Sequence, residues 1–199
     1  MVNYTFPRSE NDPLGYYYFE KGFTPEELQW IYDNIEDLEF EKAVILGEDT
    51  EGIRKSRIKW IPQNQTWDWL YERLISYAEE ANNQLWNFEL LTAPEKIQYT
   101  EYLATDDGKY GWHQDIGPGI PSLRKVSITV QLSHPDEYEG GDFQMWLGGD
   151  PMDDTSYITG PKGQGNVIVF PSYLPHQVAP VTKGLRRSFV LWVGGEHYK

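Results

Sequence analysis

The sequence predicts an α+β chain, mainly β: a jelly roll of short antiparallel strands with N-terminal helices packed on one sheet. Three observations predict it. Apolar residues recur at helical spacing in two segments before residue 88, and from about residue 89 the pattern turns to period two. The β-rich segments that follow are separated by Gly, Pro, Asp or Asn, with no helix between them. At 199 residues the chain is long enough for one domain with a sizeable core, and no repeat, low-complexity tract or linker divides it. The expectation is a single domain over 1–199, with helical support over about 1–88 and a β core over about 89–199.

The first helix is read in "TPEELQWIYDNIEDL". Thr24 is the N-cap, Pro25 the first helical residue, and Glu27 completes a capping box. Leu28, Ile31, Tyr32, Ile35 and Leu38 then fall on one stripe. The second helix runs through "TWDWLYERLISYAEEANNQLW", with Trp67, Leu70, Tyr71, Leu74, Ala78, Ala81 and Leu85 inward. Both stripes are read as core. Between the helices "GIRKSRIKWI" reads as one short basic strand ending before Pro62. The β core is read in "KIQYTEYLA", "RKVSITVQLS", "GGDFQMWLG", "GNVIVF", "HQVAPV" and "RRSFVLWV".

Composition excludes several classes of function. A formal charge of −14 repels phosphate backbones, so nucleic acid is not expected as a partner. The absence of cysteine excludes disulfides, zinc thiolates and thiol nucleophiles. "MVNYTFPRSENDPLG" has neither the basic nor the apolar region of a signal peptide, and no apolar run approaches the length of a membrane span. The expected location is cytoplasmic, with no membrane partner.

In "YGWHQD", His113 and Asp115 stand two apart at the end of an aromatic, Gly-containing segment, just before the loop "IGPGIPS". A strand end beside such a loop is where a site is expected. His134 lies in a turn and His197 close to the C-terminus, which leaves His176, in "FPSYLPHQVAPV", as the candidate third ligand. Two imidazoles and one carboxylate leave half an octahedron open, which suits Fe(II) that must also bind a co-substrate and O₂. Zinc with an activated water is the alternative.

Arg186 follows His176 by ten residues, after Gly184, so the two are expected on neighbouring strands of a hairpin. Along the returning strand Arg186, Ser188, Val190 and Trp192 share one face, and Arg187, Phe189, Leu191 and Val193 the other. Ser127, Thr129 and Gln131 likewise form a polar face opposite Val126, Ile128, Val130 and Leu132. A polar interior is costly unless it binds something, and a buried Arg needs an anion that it can grip with both nitrogens.

The HxD pair, the distal His and the Arg in "HQVAPVTKGLR" resemble the Fe(II)/2-oxoglutarate-dependent oxygenases. The Trp six residues after the Arg, "ITVQLSHPDEYEGGDF" and "IRKS" resemble their prolyl 4-hydroxylase-like branch, so the likeness spans about residues 53–193. The resemblance implies a double-stranded β-helix with a helical layer on one sheet. It implies iron bound by His113, Asp115 and His176, and Arg186 paired with the distal carboxylate of 2-oxoglutarate. Tyr102 matches a tyrosine that hydrogen-bonds the co-substrate. Gln131, which stands where relatives often carry an aromatic, and Trp192, as a pocket wall, complete the co-substrate pocket. The stretch from Tyr102 to Asp115 is a little longer than in the family, which implies a reshaped loop over the iron.

The implied cofactors are Fe(II), 2-oxoglutarate and O₂, with ascorbate in support. The implied activity is hydroxylation of an unactivated C–H bond with release of succinate and CO₂, on a prolyl residue in a peptide or protein. Hydroxylation of a small molecule or free amino acid, and a non-catalytic metal-binding jelly roll, are the alternatives. A nucleic-acid demethylase of the superfamily would carry a second Arg where this chain has Trp192. The loops "ILGEDTEGIRKSR" and "IGPGIPSLRK" are expected to cover the substrate; their basic residues, Arg54 and Arg57 among them, suit an acidic or extended peptide.

Overall fold

Alternating side chains pair into two antiparallel sheets in the computed structural model, in which residues 15–42, 52–148 and 156–197 are described. The chain runs β1 (Tyr17–Phe19), α1 (Pro25–Ile35), β2 (Glu41–Lys42), β3 (Arg54–Lys55), β4 (Arg57–Ile61), α2 (Asp68–Leu85) and β5 (Ile97–Leu103). It continues through β6 (Lys109–His113), β7 (Arg124–Gln131), β8 (Tyr138–Gly140), β9 (Phe143–Trp146), β10 (Tyr157–Thr159), β11 (Val167–Pro171), β12 (His176–Val178) and β13 (Val181–Gly194). The larger sheet has the order β1-β11-β7-β13-β5-β4-β2, with β8 paired to the start of β13, and the smaller has the order β10-β9-β12-β6-β3. Neither closes into a barrel. This is the expected mainly β jelly-roll architecture with helices on one sheet.

Both helices form as their sequences predict. Thr24 Oγ1 accepts from Glu27 N at 3.2 Å while Glu27 Oε2 accepts from Thr24 N at 2.9 Å, so the capping box closes. No basic residue lies in the last turn of α1. Lys59, from β4, supplies the missing cation: its Nζ donates to the carbonyls of Ile35 at 2.9 Å and Glu36 at 3.3 Å. Burial lowers the Lys59 pKa, against the pull of Glu101.

Period two then decides what lies on each face of the larger sheet. Val126, Ile128, Val130, Phe189, Leu191 and Val193 face the helices, packing with Leu28, Ile31, Leu70, Leu74 and Ala78. Each fully buried Leu or Ile contributes about 1.5–3 kcal/mol by leaving water. The opposite face, with Ser127, Thr129, Arg186 and Ser188, turns toward the smaller sheet. There a second cluster around Phe143, Met145, Ile168, Phe170 and Val178 fills part of the space. The rest is a cavity.

Three expectations need correction. Among the described residues four strands precede β5, where one was expected; β1, for example, edges the larger sheet with Tyr17 opposite Val169. "GIRKSRIKWI" is not one strand: Arg54–Lys55 pair with β6 in the smaller sheet and Arg57–Ile61 with β5 in the larger, so the chain changes sheets at Ser56. His176 and Arg186 do not share a hairpin either. The chain leaves the smaller sheet at Val178, crosses at Ala179–Pro180, and enters the larger sheet as the continuous strand β13. Gly184 lies inside that strand at φ 71°, where a Cβ would stand 2.0 Å from the Glu137 carbonyl oxygen.

The N-terminal reading through residue 14, and residues 45–51 of the expected covering loop, lie outside the described residues. Among the described residues no helix is long and apolar enough to cross a membrane.

Candidate active site

Two adjacent strands of the smaller sheet bring the histidines together. His113 ends β6, His176 begins β12, and the two are direct cross-strand partners with ring centroids 4.2 Å apart. Each Nδ1 is held by a backbone carbonyl of its own chain segment, Gly111 O at 2.8 Å and Leu174 O at 2.9 Å. A carbonyl only accepts, so each Nδ1 carries the proton and each Nε2 presents a lone pair. Asp115 follows β6, its N–H fixed to Ser172 O at 2.9 Å and its carbonyl accepting from Arg124 Nη1 at 2.9 Å. Its carboxylate stands 3.7 Å from His113 Nε2 and 3.5 Å from His176 Nε2. One ligand atom from each of the three residues lies within 4.8 Å of the others, a set that could hold a metal ion.

The surroundings favour the protonation states that a metal needs. Burial lowers the His113 pKa to about 3, with neighbouring His176 adding to the shift and Asp115 opposing it. Burial alone would raise the Asp115 pKa. His176, His113, the Ser127 hydrogen bond and Arg124 together outweigh it, and the group is held below the ordinary carboxylate range. Neutral imidazoles beside an ionised carboxylate are the ligating forms. Ser127 Oγ donates to Asp115 Oδ2 at 2.7 Å and lies 3.0 Å from Ser172 Oγ, so the larger sheet orients a carboxylate that follows the smaller one.

The three residues open onto a cavity of about 480 Å³ between the sheets. Arg186 lines it from β13, is only 1% exposed, and is the largest of the fully buried side chains. Its Nη2 donates to Gln131 Oε1 at 2.9 Å and its Nη1 to Ser188 Oγ at 3.3 Å, both neutral acceptors, and its Nε has no partner among the described residues. A guanidinium so buried calls for an anion, and the described residues place no carboxylate beside it. The donor set on one wall and this orphaned cation on the other fit an Fe(II) ion and a dicarboxylate held between them.

Tyr102 is the cross-strand partner of Arg186, is buried, and lines the cavity with its ring centroid 5.4 Å from Arg186 Cζ. Trp192 forms another wall. Gln131 does not line the cavity: it lies behind Arg186 and holds it. Arg54 lines the cavity, but Arg57 does not. Arg57 pairs with Glu101 at 2.6 Å instead, and Glu101 also meets Arg187 at 3.5 Å. His134 is exposed in its turn, as expected; His197 is exposed and meets Ser122 Oγ at 3.0 Å.

Sequence reasoning missed Ser172, Tyr110 and the Arg124–Glu95 pair. Arg124 bonds Glu95 through Nε and Nη2, each at 2.6 Å, and lies 3.8 Å over the Trp192 ring. Tyr110 stacks on His113 with centroids 3.5 Å apart, and burial pushes its hydroxyl pKa up to about 12. The one available signal was the position of Tyr110 and Arg124 on either side of the HxD loop.

Comparison with known proteins agrees with this geometry. The family model of the 2OG-Fe(II) oxygenase superfamily matches residues 97–194. A PKHD-type hydroxylase of Nitrosomonas europaea is 31% identical over 160 residues, 76% of this chain and 67% of that protein. One from Synechococcus sp. is 39% identical over 84 residues, 42% of this chain and 36% of its relative. The chain spans 36% to 44% of the length of this and two other PKHD-type hydroxylases that it matches. Among solved structures, a prolyl-4-hydroxylase of Pseudomonas putida is similar with a TM-score of 0.67 at 20% identity, covering 92% of this chain and 93% of that one. A prolyl hydroxylase of Trichoplax adhaerens, in complex with a hypoxia-inducible-factor peptide fragment, gives 0.71 at 18% identity, covering 90% and 83%. At such identities these two likenesses speak for the fold. With the family match and the Nitrosomonas relative, the conclusion is that this chain belongs to the 2OG-Fe(II) oxygenase superfamily, whose cofactors are Fe(II), 2-oxoglutarate and O₂.

Proposed function

We propose that the chain is a single oxygenase domain that hydroxylates a prolyl residue in a peptide, with 2-oxoglutarate converted to succinate and CO₂. One observation carries the reading: a His, His and Asp set faces, across one cavity, a fully buried Arg that no carboxylate among the described residues neutralises. His113, Asp115 and His176 would hold Fe(II). Bound there, the metal supplies O₂ activation and hydroxyl transfer to an unactivated C–H bond, coupled to decarboxylation of the 2-oxo acid.

The chain's own residues do the rest. The Gly111 and Leu174 carbonyls fix both imidazole tautomers, and Ser127 fixes the carboxylate. Arg186 would grip the distal carboxylate of 2-oxoglutarate, with Tyr102 beside it, and so orient the co-substrate before substrate enters. Phe143, Phe170 and Val178 form an apolar wall on the His176 side and keep water from it. The prolyl substrate is supported by the two prolyl hydroxylases that share the fold, one of them holding a peptide.

The test is anaerobic mixing with Fe(II) and 2-oxoglutarate, followed by exposure to O₂ with a proline-containing peptide library. The expected result is a visible iron–2-oxo acid charge-transfer band that is lost in His176→Ala and needs far more 2-oxoglutarate in Arg186→Ala. Succinate should then form in step with peptide gaining one oxygen. A band without peptide oxidation would overturn the prolyl substrate; no band would overturn the oxygenase reading.

A further inference from the structure

Arg54 is a second guanidinium on the cavity wall that no carboxylate among the described residues holds. It leaves β3 at the edge of the smaller sheet and lies over the Tyr110 ring, Cζ 4.6 Å from the centroid. Nε donates to Ser56 Oγ at 2.8 Å and Nη2 to Gln98 Oε1 at 2.7 Å. Both acceptors are neutral, and Nη1 donates to no described residue. Its basic neighbours are otherwise engaged: Arg57 with Glu101, Lys55 and Lys109 with Asp107, Arg124 with Glu95. Arg54 is therefore a half-buried cation, held in position on three sides, with donor capacity left over.

Charge balance says what it is for. With His113, Asp115 and His176 holding the metal, the 2-oxo end of the co-substrate would go to it and the distal carboxylate to Arg186, so 2-oxoglutarate would leave Arg54 unmatched. Glu95 is taken by Arg124, and Glu41, the remaining carboxylate lining the cavity, is exposed to solvent. We propose that Arg54 is an anion subsite that takes a carboxylate of the peptide substrate close to the residue that is hydroxylated, so that the preferred substrate is an acidic peptide. This inference rests on the oxygenase reading above. The chain's net charge of −14 does not oppose it, since that field is screened over about 8 Å at physiological ionic strength and the contact at Arg54 decides.

The test uses acetylated, amidated heptapeptides with a central proline and Asp at each other position in turn, each with its Asn counterpart. They are titrated calorimetrically into protein loaded anaerobically with Fe(II) and 2-oxoglutarate. At one position at least, Asp should bind ten-fold or more tightly than Asn. Arg54→Gln should abolish that difference, Arg54→Lys keep part of it, and Arg54→Glu transfer the preference to a Lys peptide. All three variants should form the charge-transfer band over the wild-type range of 2-oxoglutarate, which confirms their fold. A parallel set with free C-termini separates a side-chain carboxylate from a terminal one as the source. Equal binding of Asp and Asn peptides, or none, with the band present would overturn the inference, as would a preference that survives in Arg54→Gln. Absence of the band in the wild type would overturn the oxygenase reading, and this inference with it.

Discussion

Gln131 holds Arg186 by accepting from its Nη2 across 2.9 Å, and it does so from a position off the cavity wall. The amide fixes the guanidinium without neutralising it, so the positive charge stays available to an incoming carboxylate. Replacing Gln131 by Glu keeps the shape and supplies that carboxylate from within. Gln131→Glu should raise the 2-oxoglutarate concentration needed for the charge-transfer band by about 10–150-fold, the worth of one hydrogen bond to a charged group. Thermal stability should not fall. An unchanged requirement would show that Arg186 does not receive the co-substrate.

Ser127 offers a test of the metal site from outside its ligands. Its hydroxyl is fully buried and orients Asp115, so Ser127→Ala should weaken Fe(II) or Co(II) affinity about 10–100-fold, as loss of such an outer hydrogen bond does. Equilibrium competition with a chelating dye measures it, and circular dichroism checks the fold. Affinity equal to wild type would remove Ser127 from the site.

The pH dependence of the metal-free protein follows from His113. Unfolded, this group takes up a proton near 6.5; folded, it resists protonation down to about 3. The unfolded state thus binds more protons between those values, and stability present above pH 6.5 is lost as pH falls through the window. Melting curves in chelator from pH 7 to 4 should show that loss, and His113→Gln should reduce the slope by up to about 1.4 kcal/mol per pH unit. Identical slopes would contradict the buried, neutral state of His113.

Gly184 tests the passage from the smaller sheet to the larger. Its positive φ and the close Glu137 carbonyl leave no room for a side chain, so Gly184→Ala must distort β13 two residues before Arg186. The variant should melt several degrees lower, as a loss of about 1–3 kcal/mol would do, and should need more 2-oxoglutarate. A shift in stability alone would mean that the strand absorbs the distortion before Arg186.

The features legible in the sequence are those written locally. The capping box of α1, the two helical stripes and the polar and apolar faces of β7 and β13 depend on residues within a few positions of one another, and each is found as read. His113 and His176 were legible as candidates for another reason, since the chain has only four histidines, and Asp115 and Arg186 were picked out by their spacing from those two. Partners across the sheets were not legible. Nothing near Ser127 in sequence says that it meets Asp115 and Ser172, and period two in "GIRKSRIKWI" does not reveal that Ser56 divides the strand between sheets. Gly184 misled because a positive φ serves a kink within a strand as well as a turn between two.

The division of labour between the sheets has a consequence for turnover. Both histidines belong to the smaller sheet, and Arg186 to the larger. A 2-oxo acid seated at both ends would act as a rivet through the sandwich, fastening one leaf to the other across the cavity. Succinate would keep the distal carboxylate but carry a single carboxylate in place of the chelating 2-oxo acid end, so its hold on the smaller sheet would be the weaker one. Decarboxylation would therefore loosen the rivet at one end, just when product has to leave.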